Sequence, residues 1–103
     1  AASASPAPPP APPSISLTTT TATFTARTLP ETWLFLHVSG PQGNLVGQWV
    51  WSSHCAFHLG EARCQTVLQA PLPAVPANSF AILFTCADTA CTSGSWGEWV
   101  QVA

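Results

Sequence analysis

The sequence contains no lysine, no methionine and no tyrosine, and only 6% of its 103 residues are charged. Arg27 and Arg63 are its strong cations; Glu31, Glu61, Asp88 and Glu98 are its carboxylates, for a formal net charge of −2. An average domain is about 25% charged, so this surface is built from Thr, Ser, Gln, Asn, Gly and Ala. Two arginines cannot make a basic stripe along a phosphate backbone, so no nucleic acid is expected as a partner. There is no polybasic segment for anionic lipid. The longest apolar stretches, Trp33–Val38 and Phe80–Ala87, fall far short of the ~20 residues a membrane-crossing helix needs, and no membrane insertion is expected. The chain does not open on a basic start followed by an apolar run. It reads as a chain that begins after cleavage, or as a piece of a longer protein.

What is present points to β structure. Thr and Val are abundant, and no long stretch keeps a 3.6-residue period. Residues 1–14, AASASPAPPPAPPS, hold six of the eleven prolines and no large apolar side chain. They cannot fill a core and read as a Pro/Ala-rich tether, with room to join another domain. Residues 15–103 read as one folded domain. Its expected strands are Ile15–Thr20, Thr21–Thr28, Thr32–Ser39, Leu45–Ser52, Arg63–Ala70, Phe80–Ala87 and Glu98–Ala103. A Gln42-Gly43-Asn44 turn should close a hairpin between the third and fourth, and Pro71, Pro73 and Pro76 enforce a long connection before the sixth. About seven short strands predict an all-β fold, an immunoglobulin-like or fibronectin type III-like antiparallel β-sandwich. A small barrel is the alternative.

Four cysteines in a short chain suggest disulfides and an oxidising, secreted or periplasmic setting. Closing a short loop costs less entropy than closing a long one, which favours the local pairs Cys55–Cys64 and Cys86–Cys91. A zinc knuckle would need a Cys-x-x-Cys spacing that is missing.

Five Trp and five Phe are the strongest anomaly. By strand alternation Trp33, Phe35 and His37 share one side of the third strand, opposite Leu34, Leu36 and Val38. Trp49 and Trp51 share a side of the fourth, opposite Val46, Gln48 and Val50. If the aliphatic sides face inward, the aromatic ones form a flat outer platform suited to sugar rings or planar aromatic ligands. The opposite orientation would make the indoles core. Gly94-Ser95-Trp96-Gly97-Glu98-Trp99 resembles the Trp-Ser-x-Trp-Ser box of cytokine-receptor domains. Phe80–Ala87 lacks the arginines that such a box interleaves, so it reads instead as a Trp-rich turn extending the platform through Trp96 and Trp99.

Other chemistries have thin support. Cys55-Ala56-Phe57-His58-Leu59-Gly60 resembles a blue-copper loop, but there is no Met for an axial ligand and Cys64 offers Cys55 a disulfide partner. His37, His54 and His58 could gather zinc only at helical spacing, whereas His54 and His58 are expected in a loop. Ser52, Ser53 and His54 are neighbours without a Gly-x-Ser-x-Gly elbow, and no two carboxylates are placed together for glycoside hydrolysis. No catalytic residue, metal site or cofactor is assigned, and the chain is not expected to be an enzyme.

Val46-Gly47-Gln48, Cys55-Ala56-Phe57, Cys64 and Cys86-Ala87-Asp88-Thr89-Ala90-Cys91 resemble the neocarzinostatin-type apoproteins. That resemblance implies a small secreted sandwich with two local disulfides, and a ligand cleft bordered by Cys55, Phe57, Cys64, Cys86 and Cys91. The leading expectation is a secreted, non-enzymatic binding or accessory module. It would recognise a polysaccharide or other ring-bearing ligand, a carbohydrate or an aromatic small molecule, through Trp33, Phe35, Trp49, Trp51, Trp96 and Trp99, with Phe57 beside the cysteines. The alternatives are a neocarzinostatin-like small-molecule carrier and a structural spacer of a larger extracellular protein.

Overall fold

Alternation of Thr with Ala and Phe in Thr21–Arg27, and of aromatic with aliphatic residues in Trp33–Val38, gives each segment two unlike sides. A chain of that kind is stable only when sheets bury the apolar side. The computed structural model describes residues 13–103, so the Pro/Ala-rich segment assigned to 1–14 lies outside the described residues up to position 12. Ser14 is already joined to the sheet: its carbonyl accepts from the Thr25 amide at 3.1 Å.

The strands are β1 Ile15–Leu17, β2 Thr21–Arg27, β3 Trp33–Gly40, β4 Gly43–Trp51, β5 Ala56–His58, β6 Glu61–Val67, β7 Phe80–Cys86, β8 Gly94–Trp96 and β9 Val100–Gln101. One sheet runs β1-β2-β6-β5. The other runs β4-β3-β7-β8, and β9 also pairs with β7. Every pairing is antiparallel. The order is A-B-E-D against C′-C-F-G, the arrangement of an immunoglobulin-like sandwich. The strand number rises from about seven to nine for two reasons. β8 forms in the segment expected as a Trp-rich turn, ahead of the last expected strand, Glu98–Ala103, which shortens to β9, and β5 forms where a loop is expected.

Between the sheets lie Leu34, Leu36 and Val38 of β3, Ala22, Phe24 and Ala26 of β2, Ala62 and Cys64 of β6, and Ala81 and Leu83 of β7, all buried. Each fully buried Leu contributes about 1.5–3 kcal/mol. Gln48 is one of four buried polar residues, with Thr32, Ser52 and Ser79. Its Nε2 crosses from β4 to donate to Thr66 Oγ1 at 2.8 Å and the Val67 carbonyl at 2.9 Å, tying the two sheets together.

The β3–β4 hairpin closes through Pro41-Gln42, between the paired Gly40 and Gly43, and the register shifts after Val38. The turn thus lies earlier than Gln42-Gly43-Asn44, because Gly43 (φ 124°) takes the conformation that ends it. Ser52 and Ser53, in a short 3-10 turn after β4, hold the β2–β3 connection. The buried Ser52 hydroxyl accepts from the Thr32 amide at 2.8 Å and donates to the Leu29 carbonyl at 3.1 Å; Ser53 Oγ accepts from the Glu31 amide at 2.9 Å.

The segment expected as a loop after Cys55 is a hairpin arm: β5 pairs with β6 through Phe57↔Ala62 and His58↔Glu61. Leu59 (φ 51°) and Gly60 (φ 76°) are both left-handed, as a type I′ turn requires. The usual Asn-Gly signal is absent, which hid the turn. Leu59 is almost fully exposed, so Leu59→Asn should relieve strain without losing packing. A gain of about 0.5–1 kcal/mol is expected in urea denaturation. A lower midpoint would mean that Leu59 contributes more than its exposure indicates.

Cys55–Cys64 and Cys86–Cys91 are both bonded, as the local pairing anticipates. Loops this short constrain the unfolded chain by about 2–3 kcal/mol each. Inside the Cys86–Cys91 loop region, Asp88 accepts from the Thr92 hydroxyl and from the Thr92 amide, the latter at 2.9 Å. The Thr92 hydroxyl first, then its amide, hold the Asp88 carboxyl below the usual carboxylate range. A depressed folded pKa contributes stability above the unfolded value of about 3.9, and that contribution is lost as pH falls through the folded value. Asp88→Asn should therefore flatten the acid limb of the stability–pH curve below about pH 4. An unchanged limb in equilibrium denaturation would remove Asp88 from that role.

Candidate functional site

The inward turn of Leu34, Leu36 and Val38 forces Trp33, Phe35 and His37 onto the outer side of the five-stranded sheet. Cross-strand register adds the rest. Trp33 faces Trp51, and Phe35 faces Trp49 on one flank and Phe84 on the other; Phe84 in turn faces Trp96. Trp49, Phe35, Phe84 and Trp96 therefore form a row with one ring on each of four adjacent strands, ~14 Å across. Trp99, just before β9, lies 5.9 Å from the His37 ring. All five tryptophans of the chain are on this side. Trp33, Trp49, Trp96 and Trp99 remain 37%, 50%, 55% and 53% exposed, roughly 300–500 Å² of indole surface, within the size range of functional patches.

The face is not the flat platform that the alternation predicts. Apart from Phe35–His37 at 17°, neighbouring rings are inclined at 46° to 88°, with centroids 4.7 to 6.4 Å apart. Two effects tilt them. Ring quadrupoles favour edge-to-face contact, and the twist between strands, about 20–25° per step, keeps rings on adjacent strands from lying in one plane. The result is a herringbone of half-exposed indoles.

Two glycines seat it. Gly47 lies beneath Phe35, where an added Cβ would come within 3.3 Å of the ring. Gly94 is more constrained: a Cβ there would sit 2.5 Å from Phe84 Cζ and 2.4 Å from the Thr85 carbonyl oxygen. β8 can approach β7 closely enough to bring Trp96 against Phe84 only because position 94 has no side chain.

Of the expected site residues, Trp33, Phe35, Trp49, Trp51, Trp96 and Trp99 are brought together. Phe57 is not: it sits on β5, the edge of the opposite sheet, apart from the aromatic contacts. Phe84 belongs to the row and was not singled out. Its strand is apolar on both sides, so alternation there does not say which side is outer.

The other candidate groups are spread apart or structural. Cys55 sulfur is bonded to Cys64, which leaves no thiolate for a copper loop. His37 is on β3, His54 in the 3-10 turn and His58 at the end of β5; among the described residues no three His, Cys, Asp or Glu side chains are grouped to hold a metal ion. Ser52 is hydrogen-bonded into a turn.

A separate cleft of about 480 Å³ opens where the ends of β2, β5 and β7 meet β8. Buried Ala26 and Leu83 lie in its floor, and exposed Arg27, Arg63 and His58 in its rim, with Trp96 beside them. None of Cys55, Phe57, Cys64, Cys86 and Cys91 lines it. No helix of the described residues is long and apolar enough to cross a membrane. Comparison with family models, curated proteins and solved structures finds no match for this chain.

Proposed function

We propose that the chain is a secreted, non-enzymatic binding module that recognises a polysaccharide or another ring-bearing ligand through its aromatic sheet face. The observation that carries this reading is the gathering of all five tryptophans on one solvent-facing side, while the core is filled by Leu, Val, Ala and Phe24. Large aromatics bring the greatest burial energy to a sandwich interior, so leaving four of the five indoles more than a third exposed forgoes stability that recognition would explain. The two disulfides support an oxidising, extracellular setting.

The herringbone refines the ligand. Inclined rings offer separate stacking sites along the row rather than one plane, which suits a hydrated or twisted chain better than a crystalline surface. Stacking without charge should be nearly indifferent to salt.

A glycan array read with tryptophan fluorescence tests the reading. The expected result is retention on at least one polysaccharide, with a shifted emission that persists in high salt. If no glycan is retained, the spacer reading takes its place. The small-molecule carrier is favoured by one observation, the Trp96-bearing cleft, and it would bind a monomeric aromatic in the array's place.

A further inference from the structure

The chain has two strong cations, on separate strands, and both stand on the rim of one cleft. Arg27 ends β2, and Arg63 lies on β6; the paired register sets Arg27 beside Glu61 and Arg63 beside Thr25. Among the described residues the single ion pair is Arg63–Glu61, at 3.6 Å and largely solvent-exposed, a separation that leaves the guanidinium free to take a better acceptor. His58 adds a further donor to the rim. Glu61 offsets one of the cations, and Glu98 sits one residue beyond the rim's Gly97. In a molecule of net charge −2, the rim keeps one formal positive charge in excess over an apolar floor.

Trp96 links this cleft to the aromatic face. It lines the cleft, and it also packs on Phe84 at 5.1 Å and Phe35 at 6.2 Å. Arg27 and Arg63 alternate with inward residues of the four-stranded sheet, so a chain of sugar rings laid along Trp49, Phe35, Phe84 and Trp96 would turn round the β8 edge through this shared cleft to reach them. We infer that the ligand is an acidic polysaccharide, with a carboxylate-bearing ring seated in the cleft against Arg27 and Arg63 while neighbouring rings stack on the tryptophans. This inference rests on the polysaccharide reading and adds the charge of the ligand to it. Arginine suits the task, because its planar fork matches a carboxylate in two-point contact.

The test compares polygalacturonate with its fully methyl-esterified form, which keeps the ring backbone and removes the charge. The unmodified protein should bind the acidic polymer about tenfold more tightly at low salt, as expected for two exposed charge contacts. That advantage should vanish near ~0.5 M salt, where screening is short-ranged, while affinity for the ester stays constant. The double variant Arg27→Gln, Arg63→Gln should lose the advantage and retain the ester's affinity. Arg27→Lys with Arg63→Lys should recover part of it, and thermal melts confirm that both variants fold. Equal affinity of the unmodified protein for the two polymers overturns the inference and leaves the aromatic reading standing. So does an advantage that survives in the Gln variant. Retention of neither polymer, with some neutral glycan retained in the array, overturns it too. Retention of no glycan at all overturns both.

Discussion

Trp49→Ala is expected to abolish retention on the polysaccharide and to leave the denaturation midpoint almost unmoved. Trp49 stands at the β4 end of the row, 5.0 Å from Phe35 and 6.4 Å from Phe84 within it, and 6.4 Å from Trp33 beside it. A ligand that runs along the row from β4 meets its indole first and then Phe35 and Phe84, which its indole props. Half-exposed aromatic anchors of a binding patch typically contribute about 2 kcal/mol, or about thirtyfold in Kd. The stability effect is small because half of the side chain is already in water and cross-strand aromatic pairs stabilise a sheet by only about 0.2–1 kcal/mol. Trp51→Ala should weaken retention in the same direction. The measurements are affinity electrophoresis in glycan-bearing gels beside urea denaturation. A folded Trp49→Ala protein that still binds would end the aromatic-face reading; an unfolded one would show that the ring is structural.

The opposite behaviour is expected one residue away from Phe35. Leu36→Ala should destabilise the domain by about 2–5 kcal/mol, a large part of the 5–15 kcal/mol available to a domain. Leu36 is fully buried, and in register with Gln48 on β4 and Leu83 on β7, both buried. Truncation opens a cavity between the sheets that neither fixed backbone can close. Whatever fraction remains folded should bind as the unmodified protein does, because no ring moves to the other side of the strand. Urea denaturation together with binding corrected for the folded fraction separates the two effects. A Leu36→Ala protein with unchanged midpoint and lost binding would reverse the assignment of the two sides of β3.

These paired results share one cause, the two-residue period of β3, which is also why so much of the site could be read in advance. Trp33-Leu34-Phe35-Leu36-His37-Val38 has chemically unlike sides, and so does Val46 to Trp51. Once these two segments pair, their aromatic sides must coincide. Which side faces out is a separate matter, since indoles fill many sandwich cores. The burial of Leu34, Leu36 and Val38 decides it. Phe84 escaped the reading because Phe80, Ala81, Ile82, Leu83 and Phe84 are apolar without alternation. The β5 arm escaped it because Leu59 occupies a left-handed position where Asn would have announced a turn. The tilt of the rings has no signature in residue order at all.

Residue order alone was enough for the all-β class, the two local disulfides, the division of β3 and β4 into unlike sides, and the scarcity of charge. Each of these follows from local chemistry: side-chain period, loop-closure entropy and composition. Tertiary pairing was needed to bring Trp96 and Phe84 alongside Phe35, to seat Phe84 over Gly94, and to set Arg27 and Arg63 on one rim. Those contacts join segments dozens of residues apart, so they exist only where sheet register and sandwich packing put the strands side by side.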